Sequence, residues 1–199
     1  MSSGPIIPAN DSGGPIMTWN DVAWGPGYSR SELDGAQERF ALRFPPDLID
    51  LLLDRRLPRG WDWSNDGDRI VEMLAWPLDG FLWDVENAGL WWPEWGLRPS
   101  TQDERAEIVG HIVAAAPKLI PLYGHRFIPE EPSERGNPVF SVHQSDIIYY
   151  GSDLTNYVIR EFVNRRPSAP VPDPIRRIRF WSEAVEMAHN EACYRGDVG

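Results

Sequence analysis

The sequence predicts an α+β fold. Helical signals fill the first part of the chain, strand-like runs follow between Leu119 and Tyr150, and no regular strand–helix–strand alternation links the two. With 199 residues, 42% apolar and 25% charged, the chain is long enough for one domain with a substantial core. Four segments are expected: a disordered tail over 1–17, a domain over 18–166, a proline-rich linker over 167–174, and a C-terminal helix over 175–194 packed on the domain.

Each element has a local cause. Thr18 and Asp21 have capping-box spacing, which predicts a short helix broken at Gly25-Pro26-Gly27. Ser31 and Asp34 repeat the spacing before a firmer helix with Leu33, Ala36, Phe40 and Phe44 on one side. Pro45-Pro46 ends it, and Pro46 suits the first turn of a helix from Asp47 to about Arg56, with Leu48, Leu51 and Leu52 inward. Arg69–Leu74 reads as a short helix, and Trp76–Val85 as one or two strands around Asp79-Gly80. Thr101 caps a helix to about Ala116, with Ile108, Ile112 and Ala115 on its inner face. Leu119–Tyr123 reads as a buried strand and 130–136 as an acidic loop. Val139–Val142 and Ile147–Tyr150 form a hairpin across the turn His143-Gln144-Ser145-Asp146. Asp153 caps a helix carrying Leu154, Tyr157, Val158 and Phe162. The last helix places Ile178, Trp181, Val185 and Ala188 at helical spacing, a stripe that must dock, because an isolated helix of this length is marginal.

Between Trp61 and Trp95 lie seven of the ten tryptophans, with eight acids against a single base, Arg69. Tryptophan serves both cores and binding hot spots. Trp76 and Trp83 alternate with Leu74, Leu78, Phe81 and Leu82 and are assigned to the core. Trp61 and Trp63 share a strand parity beside acids and are placed at a surface edge. Neighbours on a strand point opposite ways, so one of Trp91 and Trp92 is expected at the surface or under a loop.

Several chemistries fit poorly. Asp62-Trp63-Ser64-Asn65-Asp66-Gly67 opens like an EF-hand loop, but the twelfth place, which needs a bidentate glutamate, is Met73. An Asp turn leading into a helix is the better reading. His111, His125, His143 and His189 show no zinc spacing, although His125 and His143 flank the strands and could approach in space. There is no nucleophile elbow and no phosphate loop, and Cys193 is the sole cysteine, which fits a reducing cytosol. A net charge of −11 argues against nucleic acid as partner, and no apolar run is long enough to span a membrane. No cofactor and no metal are expected. The enzyme alternative is glycoside chemistry, with Asp84 and Glu86 on one strand face in a Trp-acid cleft, or plain carbohydrate binding there.

The entry Phe44-Pro45-Pro46-Asp47-Leu48, the segment from Leu119 to Phe127, and the run from Gly136 to Gly151 together resemble the SUKH superfamily, as does Phe180-Trp181-Ser182 near the end. The similarity would span roughly Trp19 to Ala192, with the strand block its most specific part. The resemblance implies a central bent sheet, antiparallel or mixed, flanked by helices, and no shared catalytic residue. Many bacterial members are regarded as immunity proteins that neutralise toxins, often nucleases, and the fungal branch acts as an interaction hub.

The expectation is therefore a cytosolic, non-enzymatic protein-binding domain that occludes a basic toxin domain; a scaffold without a toxin is the alternative. Its expected partner face is Trp61, Asp62, Trp63, Asp66, Asp84, Glu86, Trp91, Trp92, Glu94 and Trp95, helped by Glu130, Glu131 and Glu134. The arginines Arg165, Arg166, Arg176, Arg177 and Arg179 are expected to dock the last helix on the acidic body.

Overall fold

A computed structural model describes residues 19–163 and 170–196. The expected tail 1–17, Thr18, the Arg165-Arg166 pair and Pro167 lie outside the described residues. Among the described residues the chain is α+β, with six α-helices and two antiparallel sheets. The first expected helix is only a 3-10 turn, Trp19–Asp21. Beyond it the chain extends so that β1 (Gly25–Pro26) can pair with β2 (Arg55–Arg56).

Helix α1 (Arg30–Phe40) is capped by Ser29, two residues before the expected cap Ser31. Ser29 Oγ accepts from the Glu32 N–H, and the Glu32 carboxylate accepts from the Ser29 N–H at 2.7 Å. Asp34, the acid of the expected box, is held instead by Arg30 at 3.0 Å. The turn at Ala41 is left-handed, and α2 (Pro46–Asp54) follows with Leu48 and Leu52 buried.

The main sheet is a meander in sequence order: β3 (Leu119–Tyr123), β4 (Arg126–Pro129), β5 (Val139–His143) and β6 (Asp146–Gly151). Strand β4 is a four-residue run for which the sequence predicts no element. Pairing of His143 with Asp146 tightens the expected four-residue turn to Gln144-Ser145, with Gln144 at φ 58°. Both sheet faces are buried. Ile120, Leu122, Ile128 and Tyr150 pack in one cluster with α1, α2 and α5 (Leu154–Val158), which Asp153 caps. Leu119, Phe127, Phe140, Val142 and Ile147 pack in the other. That second cluster holds α4 (Gln102–Ala115), whose inward face centres on Val109. The face expected for α4 is offset, since Ile108 and Ile112 are half-buried and Ala115 is exposed.

The largest departure is α3 (Gly67–Asn87), one helix of 21 residues where a short helix and strands are expected. Ile70, Pro77, Phe81 and Val85 are buried along it, with Leu74 and Leu78 half-buried, a spacing that fits 3.6 residues per turn. An interior proline costs about 3 kcal/mol. Full burial of Ile70, Phe81 and Val85 contributes about 1.5–3 kcal/mol each, so packing outweighs Pro77.

The last helix, α6, is Trp181–Gly196, not a helix from 175. Phe180 has φ 69°, a left-handed value that a helix interior excludes. Ile178, Trp181 and Ala184 sink into the second cluster. The Trp181 indole N–H donates to the Pro117 carbonyl at 2.7 Å, and Tyr149 Oη and Ser182 Oγ are hydrogen-bonded at 2.7 Å. Docking of α6 is thus mainly apolar. Arg176 does reach an acid of the body, Glu134, at 3.3 Å, whereas Arg177, which precedes α6, pairs with Glu183 and Glu186 of that helix.

Candidate partner face

The residues expected to form one partner face are dispersed. Trp61, Asp62, Trp63 and Asp66 lie in the connection before α3. Trp91, Trp92, Glu94 and Trp95 follow its far end, around the 3-10 turn Pro93–Trp95. A helix of this length is about 30 Å long, so the two groups are separated by its full extent. Glu130 accepts from the Arg43 N–H at 3.1 Å, in the loop that also carries the exposed Glu131 and packs beside the start of α2.

Three of these residues are inside the protein, which corrects their assignment to a surface. Trp63 is 5% exposed, with its ring 4.8 Å from Phe44. Trp92 is 6% exposed and meets Phe81 edge-on at 5.5 Å. Trp91 is the more open of its pair, half-buried, with its indole N–H donating to the Gly96 carbonyl at 2.8 Å. Asp84 is buried and accepts from both the N–H and the Oγ–H of Ser145, at 2.8 and 2.5 Å. Glu86 takes a two-pronged contact from Arg105 at 2.5 and 2.7 Å, which holds its carboxyl below the usual range. Two residues apart on a helix, Asp84 and Glu86 point roughly 160° apart. The carboxylate pair expected on one strand face, and the cleft built on it, therefore do not form.

The EF-hand-like opening folds as an Asp turn. The Asp62 carboxylate accepts from Asn65 Nδ2 and from the Ser64 N–H, both at 3.0 Å, which lowers its pKa, and α3 begins at Gly67. Among the described residues no three His, Cys, Asp or Glu gather as a metal ion would require. A recess lined by Tyr28, Arg56, Trp61, Trp63 and Leu122 has room for about one water molecule, too little for a sugar.

What the sequence reading placed inside is outside. Trp76 is 39% and Trp83 52% exposed, on the outer face of α3. Asp68, Glu72, Trp76, Asp79 and Trp83 fall within roughly 90° of the helix circumference, and all are exposed. The three carboxylates make no ion pair with any described residue. The spacing of Glu72, Trp76, Asp79 and Trp83, alternately four and three residues, is the signal that could have revealed this stripe.

The turn between β5 and β6 clasps α3 beside that stripe. The Trp76 indole N–H donates to the Val142 carbonyl at 3.0 Å, and Ser145 binds Asp84 one turn beyond Gly80. A Cβ on Gly80 would stand 2.7 Å from Gln144 Cα, so glycine is what lets the turn approach. At the same sheet end His125 and His143 bring their rings to 6.3 Å, nearly perpendicular. Burial, with Arg126 and His143 nearby, lowers the pKa of His125.

The geometry offers an acidic, aromatic strip beside a turn. Among the described residues no helix is long and apolar enough to cross a membrane. No protein-family model, no curated protein and no solved structure matches the chain.

Proposed function

We propose that this chain is a non-enzymatic, SUKH-like protein-binding domain of the cytosol that neutralises a basic toxin, a nuclease by preference, by covering its working surface. The observation that supports this reading is the exposure of Trp76 and Trp83 on one helix face with Asp68, Glu72 and Asp79, carboxylates that form no ion pair with any described residue. Leaving two large indoles in water forgoes their burial energy, and such rings surrounded by steering charge suit a hot spot that a partner desolvates. Glycoside chemistry loses its carboxylate pair once Asp84 and Glu86 part.

Deleting the gene from cells exposed to the toxin encoded beside it should cause killing, and unaffected growth would remove the proposal. With toxin in hand, association should slow markedly between low and physiological salt. A salt-independent on-rate would refute the electrostatic part.

A further inference from the structure

We infer that the outer stripe of α3 seats a basic amphipathic helix of the partner lengthwise, with arginine or lysine side chains over Trp76 and Trp83 and against Asp68, Glu72 and Asp79. The inference rests on the protein-binding reading and adds to it the face and the kind of segment bound.

Four features of the stripe define the occupant. Its charge is uniformly negative apart from Arg69, whose guanidinium lies over the Trp61 ring at 5.0 Å, so a positive partner is complementary. Its two exposed aromatic side chains are indoles, the rings that best accept a guanidinium or ammonium. Val71, 57% exposed, and Ala75 continue it with apolar surface, so the partner segment must also carry apolar side chains. Its groups recur about every helical turn, a repeat of about 5.4 Å that another helix matches and an extended strand does not.

Tertiary structure keeps this strip fixed and open. Trp76 is tied to β5 through its indole N–H, and the turn at Gln144 rests on Gly80, forming a wall along one side. Pairing with a second copy would set carboxylate against carboxylate, and nucleic acid would be repelled by the same groups.

Two synthetic helical peptides of equal length test this, one of arginine and leucine, the other of glutamate and leucine, titrated against the full chain by tryptophan fluorescence and calorimetry. The arginine peptide should bind. Trp83→Ala should weaken it about tenfold, and the double variant Glu72→Gln/Asp79→Asn several-fold, with thermal melts confirming that each variant is folded. Failure of the arginine peptide to bind, equal binding of the glutamate peptide, or affinity unchanged in both variants overturns the inference. A dimer of the free chain that Trp83→Ala abolishes would assign the face to a second copy and overturn it as well. Protection from toxin that survives in the Trp83→Ala/Glu72→Gln/Asp79→Asn variant refutes this docking mode alone. Peptide binding without any protection by the wild type refutes the toxin-neutralising function alone.

Discussion

The β5–β6 hairpin and helix α3 are both rich in aromatic and β-branched residues, yet one is extended and the other coiled. In the hairpin the apolar residues sit between a polar turn and flanking glycines, and Phe140 and Val142 enter one cluster with Ile147. In α3 strand-prone types such as Trp76, Phe81, Trp83 and Val85 occupy a helix because the buried ones recur every three or four residues. Residue type misleads there and period does not. The comparison teaches that a β-prone composition yields when a 3.6-residue stripe can bury itself against a sheet.

Removing a ring from each region tests that directly. Phe81 and Phe140 are both fully buried, and Phe81→Ala and Phe140→Ala should each destabilise by about 3–5 kcal/mol in urea unfolding. A loss below about 1 kcal/mol at Phe81 would mean that the inner stripe does not hold α3 in place. Next in size is Gly80→Ala. In an exposed helix interior this change stabilises by about 1 kcal/mol. Here the new methyl meets Gln144 Cα, so a destabilisation of about 1–3 kcal/mol is expected, and a stabilised variant would separate the helix from the turn.

Ser145→Ala leaves the buried Asp84 with the backbone N–H but without the hydroxyl, and should cost about 1–2 kcal/mol by thermal or urea melts. The effect should vanish in an Asp84→Asn background if the two act only through each other. The smallest stability effect belongs to Trp83→Ala, within about 0.5 kcal/mol, because its ring is on the water side. A loss of several kcal/mol there would return Trp83 to the core.

Glu86 sharpens the contrast by pH. Its folded carboxyl is lowered from 4.5 by the Arg105 hydrogen bonds, so its stabilising share is present above pH 4.5 and is lost as the pH falls through the lower folded value. Glu86→Gln should flatten the stability profile on that acid limb and leave its slope near neutral pH unchanged.

Much of the fold was legible locally. Thr101 and Asp153 cap helices as their sequences indicate, the Pro45-Pro46 break stands, and the hairpin runs where alternation put it. Strand β4 escaped because four residues ending in proline carry too little periodicity. The site was legible as composition but not as geometry. Pro77 and Gly80 look like strand or turn punctuation, and reading 76–85 with a period of two inverted the faces of Trp76 and Trp83. Asp84 and Glu86 came apart for the same reason.

By itself the sequence determined the α+β class, the caps, the hairpin and the concentration of tryptophan and carboxylate between 61 and 95, since each follows from short-range chemistry. Only tertiary structure decided which tryptophans meet water. The difference between 100° and 180° per residue, settled by burial of Ile70, Phe81 and Val85 among elements distant in sequence, set Trp76 and Trp83 outside, while packing against Phe44 and Phe81 set Trp63 and Trp92 inside.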